Sequence, residues 1–286
     1  MYRVAILGCE NSHADAFIKL SRTEKYPDIE IVGVYTDEEA VNSRMRESYG
    51  VYTAASYDEF VGRVDGVMIT ARHGDNHLKY ALPYLESGIP IFIDKPATAS
   101  VEDARRFAEL LEKHGNRFCG GSSCIFAPEL RALIDEARAE ESGAVLSGHL
   151  RAPVSMKNAY GDFWFYSQHL VQLMQETFGY YPESVRAFVR EGQVCCVYRY
   201  PDCDVFAQFV EGNYVYHVSV STEKGVIHTD VFVTEAIYEY EFSEFYGLLR
   251  GAPSHQDYSD FFAPVFVIDA TIRAVSSGKE EKIERL

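Results

Sequence analysis

As far as Gly120 the chain alternates short apolar runs with helical patterns: Val4 to Leu7, Ala14 to Leu20, Ile29 to Tyr35, Glu38 to Tyr49, Val67 to Thr70, His77 to Ser87, Ile89 to Ile93, Val101 to His114 and Arg117 to Gly120. This βαβ rhythm leaves few folds open, because strands so apolar need cover on both faces, which helices give a parallel sheet. Gly88 and Gly115 stand where left-handed residues close helices. After Ser122 the pattern changes. Helices are expected over Pro128 to Ala139 and Trp164 to Phe178, with a strand over Val145 to Arg151 between them. Period-2 stretches over Ser184 to Arg190, Val194 to Tyr200, Val205 to Val210 and Tyr214 to Ser221 then predict an antiparallel meander. A strand over Gly225 to Phe232 and helices over Ala236 to Arg250 and Tyr258 to Ser276 complete it. The expected architecture is α/β: a parallel-sheet domain over 1–121, then an α+β domain with an open, mostly antiparallel sheet over 122–286.

The strand Ile89 to Ile93 runs straight into Asp94-Lys95-Pro96. Ligands in open α/β sheets bind beyond the carboxyl ends of strands, and a following proline biases Lys95 towards extended backbone. Lys95 is therefore aimed at the place where such folds put chemistry. The net charge of −16 would repel nucleic acid and anionic membranes, so a small-molecule ligand is expected, with neither of those as partner. The first residues enter a strand at once, without the apolar core and cleavage site of a signal peptide, and no segment is long enough to span a bilayer. A cytoplasmic location is the expectation. Six cysteines without a Cys-x-x-Cys pair read as buried free thiols, Cys195 and Cys196 pointing to opposite sheet faces.

Asp65-Gly66-Val67-Met68-Ile69-Thr70, His77, Ala81-Leu82, Gly88 and Asp94-Lys95-Pro96 together resemble the Gfo/Idh/MocA oxidoreductases. The resemblance implies a Rossmann domain followed by a substrate-binding and oligomerisation domain. It implies catalytic roles for Lys95, in a motif the family writes Glu-Lys-Pro, and for His169, within Phe165-Tyr166-Ser167-Gln168-His169-Leu170. Hydride exchange with a secondary alcohol requires a proton to move as well, which suits a histidine beside a lysine. NAD or NADP is the implied cofactor, held by Gly8, Asn11, Ser12, His13, Thr36, Asp37, Thr70, Arg72, His73, His77, Asp94 and Lys95. Pairing through the second sheet implies a homodimer or homotetramer.

Three departures from the family pattern stand out. Phe165 occupies the position, four before His169, where the family usually carries aspartate. The turn Gly8-Cys9-Glu10-Asn11-Ser12-His13 keeps only the first glycine of Gly-x-Gly-x-x-Gly, and His13 follows it by five positions instead of eight. Ser12 and Asp15 are expected to form a capping box over amides that a pyrophosphate would want, leaving backbone amides of Asn11 or Ser12 to serve. At the end of the second strand Thr36 stands where the family often has an acid, with Asp37 next to it. Thr36 leaves room for a 2′-phosphate, whereas Asp37, Glu38 and Glu39 repel one, which favours NAD; a capped helix start explains the same residues.

His73-Gly74-Asp75-Asn76-His77 has metal-ligand spacing, yet Gly74 argues against a helix through it, so cofactor-loop or capping duty is expected and no metal. The segment from Arg151 to Trp164 mixes polar and aromatic side chains suited to a polyol: Arg151, ending a strand, as anchor, with Asn158, Tyr160, Asp162, Trp164 and Tyr166. The reading is an oxidoreductase acting on a sugar, cyclitol or similar hydroxylated compound. Its rivals are a ligand-sensing protein that keeps the fold without catalysis, and a cofactor-independent lyase or isomerase.

Overall fold

A computed structural model describes residues 1–286. The chain divides into two units, Met1–Gly121 with Thr234–Tyr258, and Ser122–Val233 with Ser259–Leu286. In the first unit β1 (Tyr2–Leu7), β2 (Ile29–Tyr35), β3 (Gly66–Ile69), β4 (Ile91–Asp94) and β5 (Phe118–Gly121) form a wholly parallel sheet in the order β2-β1-β3-β4-β5. Every residue of β3, β4 and β5 is buried, as the apolar runs require of a sheet covered on both sides. The order reverses between β1 and β3, which makes the ends of these two strands the switch point where doubly wound folds hold ligands. Helices α1 (Ser12–Leu20), α2 (Glu39–Tyr49), α3 (Asp75–Leu85) and α4 (Val101–His114) connect the strands. Gly115, at φ +67°, closes α4 by donating to the carbonyls of Leu111 and Glu112.

One helix expected in the second domain belongs to the first. Helix α7 (Glu235–Leu249) buries Phe242, Phe245, Leu248 and Leu249 in the cluster of Val4, Ile6, Phe17 and Phe92. Gly66 opens β3 because a Cβ there would meet Leu249 and Phe245 at less than their contact distance. An apolar stripe on α7 has nowhere drier to go than this sheet face.

The second unit contains α5 (Pro128–Arg138), β6 (Val145–Val154), α6 (Trp164–Phe178), β7 (Ser184–Arg190), β8 (Gln193–Arg199), β9 (Asp204–Glu211), β10 (Tyr216–Thr222), β11 (Gly225–Val231), α8 (Tyr258–Ser277) and β12 (Glu280–Lys282). The sheet order is β11-β10-β6-β9-β8-β7-β12, antiparallel except for the parallel pair β6 and β9. The expected four-stranded meander is therefore interrupted: β6 lies between β9 and β10, pairing with β9 over eight residues. Alternation along a strand sets its facing but not its neighbour, which is why the pattern missed this insertion. Along β9, Val205, Ala207 and Phe209 are buried while Phe206 is 48% exposed. The meander aromatics divide the same way, with Tyr198, Tyr200, Phe209 and Tyr216 inside and Phe206 and Tyr214 outside. Helix α6 covers the inner face: a Cβ on Gly148 of β6 would come within 2.0 Å of the Phe178 ring. All six cysteines are free; Cys196 is buried and Cys195 half-buried, consistent with opposite facings. No helix is long and apolar enough to cross a membrane.

Candidate functional site

The turn after β1 is built on Gly8, at φ +86°, where an added Cβ would lie 2.4 Å from the Ala71 backbone. Only glycine allows that approach. The Gly8 N–H donates to the Tyr35 carbonyl at 2.7 Å, and the fully buried Thr70 hydroxyl donates to the Gly8 carbonyl, so the ends of β1, β2 and β3 are tied together. The cap of α1 is Asn11, whose Oδ1 accepts from the N–H groups of His13 and Ala14. Its Nδ2 donates to the Thr70 carbonyl at 2.6 Å and to Asp94 Oδ2 at 3.0 Å. The expected Ser12–Asp15 box does not form. Asp15 instead accepts from Arg44 and the Tyr49 hydroxyl, and Ser12 lies 3.2 Å from the Tyr238 hydroxyl; a charged guanidinium is a stronger partner for a carboxylate than a neutral amide.

Beneath the turn lies a buried charge network. His13 Nδ1 is 3.1 Å from Asp94 Oδ2, and its Nε2 is 3.4 Å from Glu241 Oε2 on α7. The second pair is close but poorly aligned, so His13 Nε2 and both Glu241 oxygens have no hydrogen-bond partner. Burial opposes charge on His13, yet Asp94 and Glu241 outweigh it and push the imidazole up from 6.5 to about 10. Burial likewise opposes charge on Asp94, but His13 and then Lys95 hold this carboxyl well below its ordinary range. Glu241 is pushed up to about 7 by burial, against the pull of His13. Asp94 Oδ1 accepts the Lys95 N–H at 2.7 Å, fixing the backbone of a lysine that is only 7% exposed. The Lys95–Pro96 peptide is cis. His13 is thus a structural counter-charge to Asp94, and Glu241 was missed by sequence reasoning. The signal was available: Glu241 falls on the apolar stripe of Ile237, Phe242, Phe245 and Leu248, where an acid needs an explanation.

In the second unit His169 is 6% exposed on α6. Its Nδ1 is 2.7 Å from the hydroxyl of Ser122 and 3.6 Å from the thiol of Cys124. Ser122, fully buried, gives its N–H to Gln172 Oε1, which also takes Nε2 of Gln168. The Ser122 Oγ also accepts the Cys124 N–H at 3.3 Å, which fixes the hydroxyl against Nδ1 and with it the orientation of the imidazole. Phe165 packs against Tyr160 and Tyr166, and Tyr166 sits edge-on to His169 at 5.2 Å. Ser122 follows β5 in Gly120-Gly121-Ser122-Ser123-Cys124 and has no periodic signature; its partner is 47 positions away.

Several expected contacts are instead used within the fold. His77 is fully buried, with Nε2 2.8 Å from the Ala71 carbonyl and Nδ1 3.3 Å from that of Ala97; burial holds it below its ordinary value. It braces the loops after β3 and β4. Half-buried His73 accepts the N–H of Asp75 at the exposed start of α3, and Arg72 is half-buried next to it in sequence. Arg151 does not end its strand, which runs on to Val154, and it lies on the face of β6 opposite Gly148 and Leu150. It is therefore away from α6 and His169, contrary to its expected role as anchor, because neighbouring residues of a strand point to opposite faces. Asn158 and Asp162 fold the loop on itself. Asn158 Nδ2 reaches Ser155 and the Asp162 carbonyl, its Oδ1 accepts the Tyr160 N–H, and Asp162 accepts from Lys157 and the Asn158 N–H. Trp164 opens α6, half-buried.

A dinucleotide needs donors for its phosphates and an acceptor for its ribose. The N–H groups of Glu10, Asn11 and Ser12 find no acceptor within the chain, although Asn11 has taken those of His13 and Ala14. Thr36 is buried and donates to Glu10, whose other carboxylate oxygen is out of water without a donor. Asp37 accepts from the hydroxyls of Tyr35 and Tyr80, lies 3.9 Å from Lys79, and is held below its ordinary value by the Tyr35 hydroxyl first. Three free amides and an orphaned acceptor at the switch point fit such a group.

Residues 2–122 match the family model described as the GFO_IDH_MocA oxidoreductase family, NAD-binding Rossmann fold. That stretch of the chain is therefore similar to the Gfo/Idh/MocA oxidoreductases. The rhizopine catabolism protein MocA of Rhizobium meliloti is 35% identical over 78 residues, a match covering 27% of this chain and 24% of that protein. GenD2 from gentamicin A biosynthesis, solved in complex with NAD, superposes with a TM-score of 0.85 at 16% identity, over 99% of this chain and 96% of GenD2. Scyllo-inositol dehydrogenase from Lactobacillus casei, solved with NAD(H) and scyllo-inositol, gives 0.84 at 13% identity over 99% of both chains. At such identities these likenesses establish the fold of the whole chain and nothing of its chemistry. They bear out the resemblance read from Asp65 to Pro96.

Proposed function

We propose that this chain is an NAD-dependent oxidoreductase that exchanges a hydride with a secondary alcohol of a cyclitol or sugar, with Lys95 and His169 moving the hydroxyl proton. The observation that carries this reading is Lys95 itself: a nearly buried lysine at a strand's carboxyl end, its backbone fixed by a fully buried carboxylate, in a domain of an NAD-binding family. NAD supplies the hydride acceptor or donor when bound. The free N–H groups of Glu10, Asn11 and Ser12 meet its phosphates. In alcohol oxidation the imidazole of His169 takes the hydroxyl proton as the hydride leaves the carbon, and in the reverse direction returns it; Lys95 is assigned to donate a hydrogen bond to the substrate oxygen. Tyr166, edge-on to His169, offers a face for a ring-shaped substrate.

The enzyme is proposed to be cytoplasmic and to pair through the outer face of its second sheet, where Phe188 and Phe206 are exposed. Calorimetric titration with NAD and NADP, followed by assay of nicotinamide reduction with a panel of inositols and sugars, tests the function. Binding of neither nucleotide at millimolar concentration refutes it. A second reading, acid–base chemistry without a nucleotide, draws support from the occupation of two α1 amides by Asn11. Turnover of a hydroxylated substrate in nucleotide-free solution would establish that alternative.

A further inference from the structure

Building on the proposed NAD dependence, we propose that Glu10, from the shortened turn, accepts the adenosine ribose hydroxyl in place of an acid at the end of β2 and so selects NAD over NADP. Dinucleotide folds commonly hold the 2′-hydroxyl with an acid beyond the second strand, whereas NADP-binding ones accommodate the 2′-phosphate with arginine. Here β2 ends at Tyr35 and the next residue is Thr36, buried and without charge. The acid comes from the other side. The Gly8 N–H holds the turn against the Tyr35 carbonyl at 2.7 Å, and this brings the side chain of residue 10 to the end of β2. The Thr36 hydroxyl donates to Glu10 Oε1, while Oε2 is shut off from water and has no donor.

A carboxylate oxygen in that state is an acceptor lacking its hydrogen bond, and a ribose hydroxyl supplies one once a turn of the Glu10 side chain brings that oxygen to the surface. A 2′-phosphate brings negative charge to the same atom, so it loses the hydrogen bond and adds repulsion. Asp37, one residue further on, is a poorer candidate. Its two oxygens already take the Tyr35 and Tyr80 hydroxyls, and Lys79 offsets its charge. The Glu10 charge also helps to raise the Tyr35 and Tyr80 hydroxyls, after burial and Asp37, which agrees with its place beside β2.

The test is isothermal titration of the full-length chain with NAD and with NADP, for the natural sequence, Glu10→Gln and Asp37→Asn. The amide oxygen introduced by Glu10→Gln can still accept from Thr36, and a melting curve checks that each variant is folded. The natural chain is expected to prefer NAD, and Glu10→Gln to reduce the NAD-to-NADP preference about 10- to 100-fold, the effect of losing a charged acceptor. An unchanged preference in Glu10→Gln overturns the proposal while leaving NAD dependence intact, as does a preference moved by Asp37→Asn instead. A natural chain that binds neither nucleotide overturns both this assignment and the proposed function.

Discussion

Replacing Glu241 by glutamine should stabilise the protein, and by an amount that grows with pH. The Glu241 carboxyl is 1% exposed and is pushed by burial from 4.5 to about 7. A carboxyl raised in this way holds its proton more tightly folded than unfolded, so stability falls as pH climbs through that interval and the loss is complete above it. About 2.5 units at about 1.36 kcal/mol each amount to about 3 kcal/mol. Glutamine keeps the shape of the protonated acid and cannot ionise. The two chains should melt together near the lower end of the interval and separate above it, until at about pH 8 the variant leads by about 3 kcal/mol, on the order of 5–10 °C in Tm. His13 contributes in the same sense, because its folded value is raised from 6.5 to about 10. Its stabilisation is complete below 6.5 and is lost as pH rises through about 10, so it is charged in both states over the acid part of the Glu241 interval. Divergence there belongs to Glu241. Scanning calorimetry of both chains across this range gives the answer. A difference independent of pH, or a variant less stable at about pH 8, would mean that ionised Glu241 stabilises His13 by more than its burial costs, and would refute the reasoning.

Lys95→Ala should lower kcat on an inositol or sugar substrate by about 10²- to 10⁴-fold while the chain still binds NAD; steady-state kinetics beside calorimetry separates the two effects, and an unchanged kcat removes Lys95 from proton transfer. Ser122→Ala takes away the partner of His169 Nδ1 and should reduce kcat more than it changes KM, with a shifted pH–rate profile and a stability loss of about 1 kcal/mol. An unaltered pH–rate profile would show that Ser122 does not act through the histidine. Gly8→Ala forces an L side chain to φ +86° and against Ala71, and should cost on the order of 2 kcal/mol or more in urea unfolding; a silent substitution would contradict the tight turn.

What was legible in this sequence was whatever repeats with a period or ends in punctuation. The five strands of the parallel sheet, the helix Val101–His114 closed by Gly115, and the α6 span Trp164–Phe178 all follow from apolar spacing and caps. Choices of partner were not legible. Nothing in the alternation of β6 says that it lies between β9 and β10, and the stripe on α7 does not name the sheet that it covers. The same limit governs the site. Lys95 is announced by its strand end, but the acid expected to cap α1, Asp15, is drawn off by Arg44, and Arg151 is turned from His169 by the parity of its strand. Glu241 and Ser122 are each contributed from far along the chain to a histidine already recognised, and only tertiary packing reveals such pairings.

The departures from the family pattern have a common physical form. A carboxylate is missing four residues before His169, and Ser122 stands at Nδ1 instead. That exchanges a counter-charge for a neutral hydrogen bond that still orients the imidazole. The acid at the end of β2 is missing, and Glu10 reaches Thr36 from the turn. The glycines of that turn are missing, and Asn11 closes the helix start by binding Thr70 and Asp94. In each place the group that left one position is answered by a side chain from another element, close enough to form a hydrogen bond. Had these positions merely lost their groups, the partners left behind would stand unanswered, at about 1–3 kcal/mol for each buried polar group. At the turn the Glu10 oxygen left without a donor is the acceptor that the proposed assignment gives to a ligand hydroxyl, so titration of the chain with a dinucleotide separates a working site from a vestigial one.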